Sequence, residues 1–134
     1  MENIQIPISI GEAIDRLTIL KIKLFHIKNY DKLANIRTDH DLLEKAIHKY
    51  YPEAPIFPLR LDSHIFGELY KVNQELWDVE DKLRVLERAK DFGSEFIELA
   101  RSVYYLNDKR ADVKKRINIE YKSALIEEKS YEAY

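Results

Sequence analysis

From residue 65 onward the apolar positions keep an unbroken rhythm: Ile65, Leu69, Val72, Leu76, Val79, Leu83 and Leu86 follow at alternating steps of three and four. That spacing holds one helix face apolar and predicts a helix over about 63–90, roughly 42 Å long at 1.5 Å per residue. Asp91-Phe92-Gly93-Ser94 breaks it, and Gly93 suits a left-handed residue between helices. A second stripe, Leu99, Val103, Leu106, Arg110, Val113, Ile117, Glu120 and Ala124, predicts a helix over about 95–126. A connection this short makes the two an antiparallel hairpin.

The beginning of the chain reads differently. Ile4, Ile6 and Ile8 alternate with polar residues or Pro7, which predicts an extended arm over 1–8. Ser9-Ile10-Gly11-Glu12 has the capping-box pattern, with Ser9 as N-cap and Glu12 reaching back. Ile10, Ala13, Leu17, Leu20, Leu24 and Ile27 form a heptad stripe, and Ile14, Ile19, Ile22 and Phe25 lie off it. A helix over about 9–30 is therefore apolar over a broad arc and is buried on more than one side.

Residues 31–40 are polar and read as a turn, with a short helix over about 39–50 capped by Thr38 or Asp39. Its expected inner face is Leu42, Leu43, Ala46, Ile47 and Tyr50. Pro52, Pro55 and Pro58 then forbid a helix and predict a Pro-rich connector over 51–61. The final segment, 127–134, frays unless its tyrosines dock. The expected whole is an all-α antiparallel bundle, a single helical domain over 1–134, with the first helix packed along the hairpin.

Composition agrees with this picture and narrows the chemistry. Three Gly and four Pro in 134 residues are few for a turn-rich β protein. The net charge of −2 gives no general field for nucleic acid or an acidic membrane. With no cysteine there is no disulfide, thiolate metal site or cysteine nucleophile. No basic n-region precedes an apolar run and no stretch is long and apolar enough to span a bilayer, so the expected place is the cytoplasm.

Candidate chemistry is thin. No carboxylate stands three residues before His26, His40, His48 or His64, where a di-iron bundle needs one. Glu44 and His48 share a helix face, a spacing more usual for a surface pair, and no metal or cofactor is expected. Glu75-Leu76-Trp77-Asp78 and Glu95-Phe96-Ile97-Glu98 have the acidic spacings of all-α nucleotide pyrophosphohydrolases. In a hairpin turning near 92, however, Glu98 lies beside 82–86 and far from Glu75, so the two sets do not converge. The basic run Lys109-Arg110-Ala111-Asp112-Val113-Lys114-Lys115-Arg116 wraps around its helix among acids, which favours a solvated face over a nucleic-acid site.

The polar break in the last stripe is more informative. Arg110 takes a seam position beside Asn107 and Lys114, and counting back through the turn sets it against 73–75 and sets Asn107 against Trp77. The expected layer is Tyr70, Asn73, Gln74, Trp77, Asn107 and Arg110. A polar layer fixes register and oligomer state, and this reading is preferred. The alternative is a small anionic-ligand pocket formed by Trp77, Asn73, Asn107 and Arg110, with Arg101 and Tyr104 on its rim.

Ile14-Asp15-Arg16-Leu17 and Asp81-Lys82-Leu83-Arg84 faintly resemble elements of helical chorismate mutases. Gly11 stands where an arginine is needed and Val85 where an acid is needed, so no residue carries over. Four other stretches resemble a family of short all-helical bacterial proteins of unknown function, some of whose members are associated with surface-polysaccharide gene clusters. They are Pro7 to Lys21, Leu76-Trp77-Asp78-Val79-Glu80-Asp81, Phe96 to Tyr104 with Asn107-Asp108, and Glu127-Glu128-Lys129-Ser130-Tyr131. The resemblance implies an intracellular protein and no particular activity. The sequence therefore points to a non-enzymatic helical interaction or scaffold module that self-associates or binds a protein partner, with no nucleic acid or membrane. An anion-binding protein or small helical enzyme built on Arg110 is the alternative.

Overall fold

The computed structural model describes residues 2–56, 59 and 64–134. Within them lie four helices: α1 (Ile10–His26), α2 (Tyr30–Tyr50), α3 (Ile65–Arg88) and α4 (Ser94–Glu120). The all-α bundle expected from the heptad patterns is the observed fold. The expected helix start at Ser63 and positions 57, 58, 60 and 61 of the connector lie outside the described residues.

Ser9 caps α1 as expected, its Oγ accepting from the Glu12 amide at 3.1 Å. Glu12 does not close the box; its carboxylate turns instead to Lys114, 2.7 Å away. The helix ends at His26, four residues before the expected 30. Asn29 then caps α2 by accepting from the Lys32 amide at 3.0 Å. The polar stretch 31–38 is thus helix and not a turn, and Thr38 is no cap: its hydroxyl donates to the Ala34 carbonyl one turn back. The longer helix also shifts the expected inner face. Leu33, Ile36, His40, Leu43 and Ile47 turn inward, whereas Leu42, Ala46 and Tyr50 are exposed.

Both hairpin helices end in the same six-residue turn. Asp91 N–H donates to Leu86 C=O and Lys90 N–H to Glu87 C=O, while Ser123 and Lys122 repeat the pattern on Asn118 and Ile119. This Schellman motif needs a left-handed residue, and Lys90 (φ 55°) and Lys122 (φ 52°) supply it. Gly93, expected in that role, is the N-cap of α4 with φ −73°. The turn at Lys122 stops α4 at Glu120, six residues short of the expected 126.

The core draws side chains from all four helices, with α2 packed on α1 and α1 on α3 and α4. Ile10, Ile14 and Leu17 of α1, Ile47 of α2, Phe66 and Leu69 of α3, and Val113 and Ile117 of α4 are buried together, with Ala54, Ile56 and Leu59 of the connector sealing one end. Only three residues join α1 to α2, and the two pack on each other, so those helices run antiparallel. Gly11 lets α1 approach α4 closely: its N–H donates to Asn118 Oδ1 at 2.7 Å, and an added Cβ would lie 2.5 Å from the Lys114 carbonyl oxygen. From there α1 runs along the hairpin until His26 stacks on Trp77, ring centroids 5.0 Å apart.

Beyond that stack only α3 and α4 continue. No residue from 74 to 112 is buried, although the apolar seam persists. Leu76, Val79, Leu83, Leu86, Leu99, Val103 and Leu106 are half-buried, and Val85, Phe92 and Ile97 are about half exposed. The bundle is therefore a four-helix base from which a two-helix arm projects.

Candidate functional site

Asp15 is the centre of the polar layer. It lies on the buried side of α1 between Ile14 and Leu17, and its side chain is 2% exposed. Arg110 of α4 grips it with a fork, Nε donating to Oδ1 at 2.9 Å and Nη2 to Oδ2 at 2.5 Å. Asn73 of α3 donates through Nδ2 to Asp15 Oδ1 at 2.9 Å and to Thr18 Oγ1 at 2.8 Å. The Thr18 hydroxyl in turn donates a hydrogen bond to the Asp15 backbone carbonyl. Lys114 approaches Asp15 at 3.7 Å while pairing with Glu12 and, at 3.5 Å, with Glu127. One carboxylate thereby ties α1, α3 and α4 together.

The electrostatics follow from this geometry. Burial alone would raise the Asp15 carboxyl, but the hydrogen bonds from Arg110 and Asn73, with the charges of Arg110 and Lys114, hold it below its ordinary value. The hydrogen bond to Asp15, working against burial, raises the Arg110 guanidinium above its usual value. Arg110 is not sealed: its side chain is 30% exposed, and Nη1 has no hydrogen-bond partner among the described residues.

Arg110 and Asn107 stand between two depressions. A cleft of about 510 Å³ holds Asn73, Trp77, Asn107 and Arg110 above Ile19, Ile22 and Leu76, with Glu80, Asp81 and Arg84 at its edge. A groove of about 800 Å³ on the other side runs under the final segment and holds Tyr104, Asp108, Lys114, Glu127, Tyr131 and Tyr134. Four of the six expected ligand residues thus share one cleft. Tyr104 lies in the other depression, and Arg101 lines neither; its Nε donates to Tyr104 Oη at 3.4 Å. Within the expected layer, Gln74 turns away, toward His26 and Asp78. Trp77 Nε1 is buried without an acceptor among the described residues.

Sequence reasoning placed Arg110 and Asn73 at one level but missed Asp15. The available signal was an acid set inside the broad apolar arc of α1. The basic run is exposed at Lys109, Lys115 and Arg116, and most of its cations are paired. Besides Arg110 and Lys114, Lys115 pairs with Glu128 and Arg116 with Glu68, so acids of α1, α3 and the final segment answer it. Glu44 Oε2 lies 3.7 Å from His40 Nε2, and no group of three metal-ligating side chains occurs among the described residues. Among those residues, too, no helix is long and apolar enough to cross a membrane.

The chain belongs to a family of unknown function (DUF6165), whose model matches residues 4–134. The resemblance to a short, all-helical family of unknown function is thereby borne out. No curated protein and no solved structure matches the chain.

Proposed function

We propose that this protein is a helical interaction module that self-associates through its two-helix arm. One observation carries the reading: the seam of α3 and α4 keeps its heptad spacing beyond the base, yet nothing from 74 to 112 is buried. A two-helix hairpin covers each seam from one side only, and helices in water draw most of their stability from packing an apolar face. A second hairpin completes a four-helix arrangement.

The charges favour a second copy as the occupant. Along α3 the arm carries Asp78, Glu80 and Asp81 near the base, and toward the tip Lys82, Arg84 and Arg88 outnumber Glu87. An antiparallel copy related by a two-fold axis sets the acidic part of each α3 beside the basic part of the other. The anion-ligand reading has less support. The fork of Arg110 is spent on Asp15, Lys114 is shared among three carboxylates, and Glu12, Asp108, Glu127 and Glu132 line the adjoining groove.

Light scattering across a dilution series tests the proposal. A dimer that dissociates on dilution is expected, and Leu99→Glu, a charge on the half-buried seam of the arm, weakens it while the four-helix base keeps its helical circular dichroism. A monomer at every concentration up to the millimolar range overturns the reading.

A further inference from the structure

The two ends of the arm carry complementary features. At the tip stands Phe92, half exposed, its ring edge-on to Phe96 with centroids 5.2 Å apart. The turn that carries it is fixed by the Asp91 N–H bond to Leu86 C=O, and Asp91 Oδ1 accepts from the Gly93 N–H at 3.2 Å. The aromatic ring is thus held in place before any partner arrives, which lowers the cost of docking it.

At the other end lies the cleft of about 510 Å³. Because α1 packs on both α3 and α4, it lies over the furrow between them until His26 meets Trp77. Beyond His26 the furrow has no third helix, and the cleft is where it opens. Ile19 and Ile22 of α1 and Leu76 and Trp77 of α3 give it apolar walls. Leu76 and Arg110 are positions of the seam itself, so the cleft and the bare seam of the arm form one continuous face.

The charges on that face set a register. Glu80, Asp81 and Arg84 edge the cleft, and Arg88 follows Arg84 one turn on. None of the four has an ion-pair partner among the described residues, whereas Glu87 is answered by Lys90. In an antiparallel two-fold pair, Asp81 of each copy can stand opposite Arg84 of the other, next to the axis. Arg88 then falls level with Trp77 of the other copy, within a turn of its Asp78 and Glu80, and the turn bearing Phe92 falls level with Asn73 to Leu76. A slip of one heptad, about 10 Å, separates the charges and carries Phe92 past the cleft.

We infer that the tip of each arm docks in the cleft of a second copy, Phe92 entering among Ile19, Ile22 and Leu76 while Asp81 and Arg84 pair reciprocally across the axis. The inference rests on the self-association reading above and adds to it the register and the anchor. It also gives the cleft an occupant from the same chain.

The dimer dissociation constants of the full chain and three variants, measured by sedimentation equilibrium, test the inference. Phe92→Ala is expected to weaken the dimer by about tenfold per copy. Arg84→Asp sets like charges opposite each other and weakens it by about tenfold. Adding Asp81→Arg to Arg84→Asp exchanges the two ends of each pair and restores the parent affinity. All three positions are exposed, so every chain keeps the same helical circular dichroism. If the unchanged chain dimerises but Phe92→Ala dimerises equally tightly, or the double variant stays as weak as Arg84→Asp, the docked tip is overturned and the arm reading stands. If the unchanged chain is monomeric throughout, both fall.

Discussion

Replacing Arg110 by Met retains much of the aliphatic volume of the side chain and removes the fork that holds Asp15. The Asp15 carboxylate is 2% exposed, so it cannot turn to water; it keeps Asn73 at 2.9 Å and Lys114 at 3.7 Å. Breaking a buried pair from one side costs about 3–5 kcal/mol, and the residual Lys114 charge sets the expectation at the lower end, about 3 kcal/mol. With typical unfolding entropies for a chain of this length, that lowers the melting temperature by roughly 10 °C. The pH dependence distinguishes this cause from lost packing. In the unchanged protein the Asp15 carboxyl is depressed, so its contribution is full above the ordinary carboxylate range and is lost as pH falls through the folded value. Without Arg110 the raising effect of burial is no longer outweighed, and the folded value moves above the unfolded one. The variant then binds the proton more tightly when folded, and its deficit grows as pH rises through that folded value. Urea melts at pH 5 and pH 7 read this directly: the stability gap between the two proteins is expected to be narrower at pH 5. A gap of the same size at both, or under about 1 kcal/mol at pH 7, refutes the account of Asp15 as a stranded buried charge.

Two further outcomes follow from the backbone. Gly11→Ala places a Cβ against the Lys114 carbonyl oxygen, 2.5 Å away, and near Asn118 Oδ1 at 2.8 Å; overpacking outweighs the gain in helix propensity, and a loss of about 2 kcal/mol is expected in urea melts. A variant as stable as the parent would show that α1 and α4 do not need this approach. Lys90→Gly relieves a side chain held at φ 55° in the turn ending α3; its ion pair with Glu87 is exposed, so a net gain of about 1 kcal/mol is expected by thermal melting, and a loss contradicts the left-handed assignment.

How much was legible depended on whether the signal was local. The seam 65–86 and the Ser9 cap lie within one helix each, and the sequence pattern located both. The beginning of α2 did not read as helix because that helix packs against α1 alone, so residues 31–39 are mostly solvent-facing and polar like a turn. Lys90 and Lys122 were overlooked for the opposite reason: the chain takes a left-handed turn where composition offered Gly93 three residues later. In the candidate site, Asn73, Trp77, Asn107 and Arg110 came together by counting across one hairpin. The Asp15–Arg110 pair spans 95 positions, a distance over which no periodicity carries information. Glu12 was legible as a capping residue, but a lysine on another helix outcompetes its own backbone for the carboxylate.

The position of the Asp15 layer explains why such a costly group is retained. It lies at the level where the base gives way to the arm: burial stops after Asn73 on α3 and resumes at Val113 on α4. An apolar heptad seam is nearly indifferent to slippage, because a shift of seven residues, about 10 Å, sets one leucine against another. The layer is not indifferent. The same shift of α4 brings Val103 or Ile117 to the place of Arg110 and leaves the Asp15 carboxylate facing hydrocarbon, at a cost of several kcal/mol. One polar pair thus fixes the length of the arm and its rotation on the base. Since the seam occupies one side of α4 only, the same pair also determines which side of that helix faces α3 along the arm.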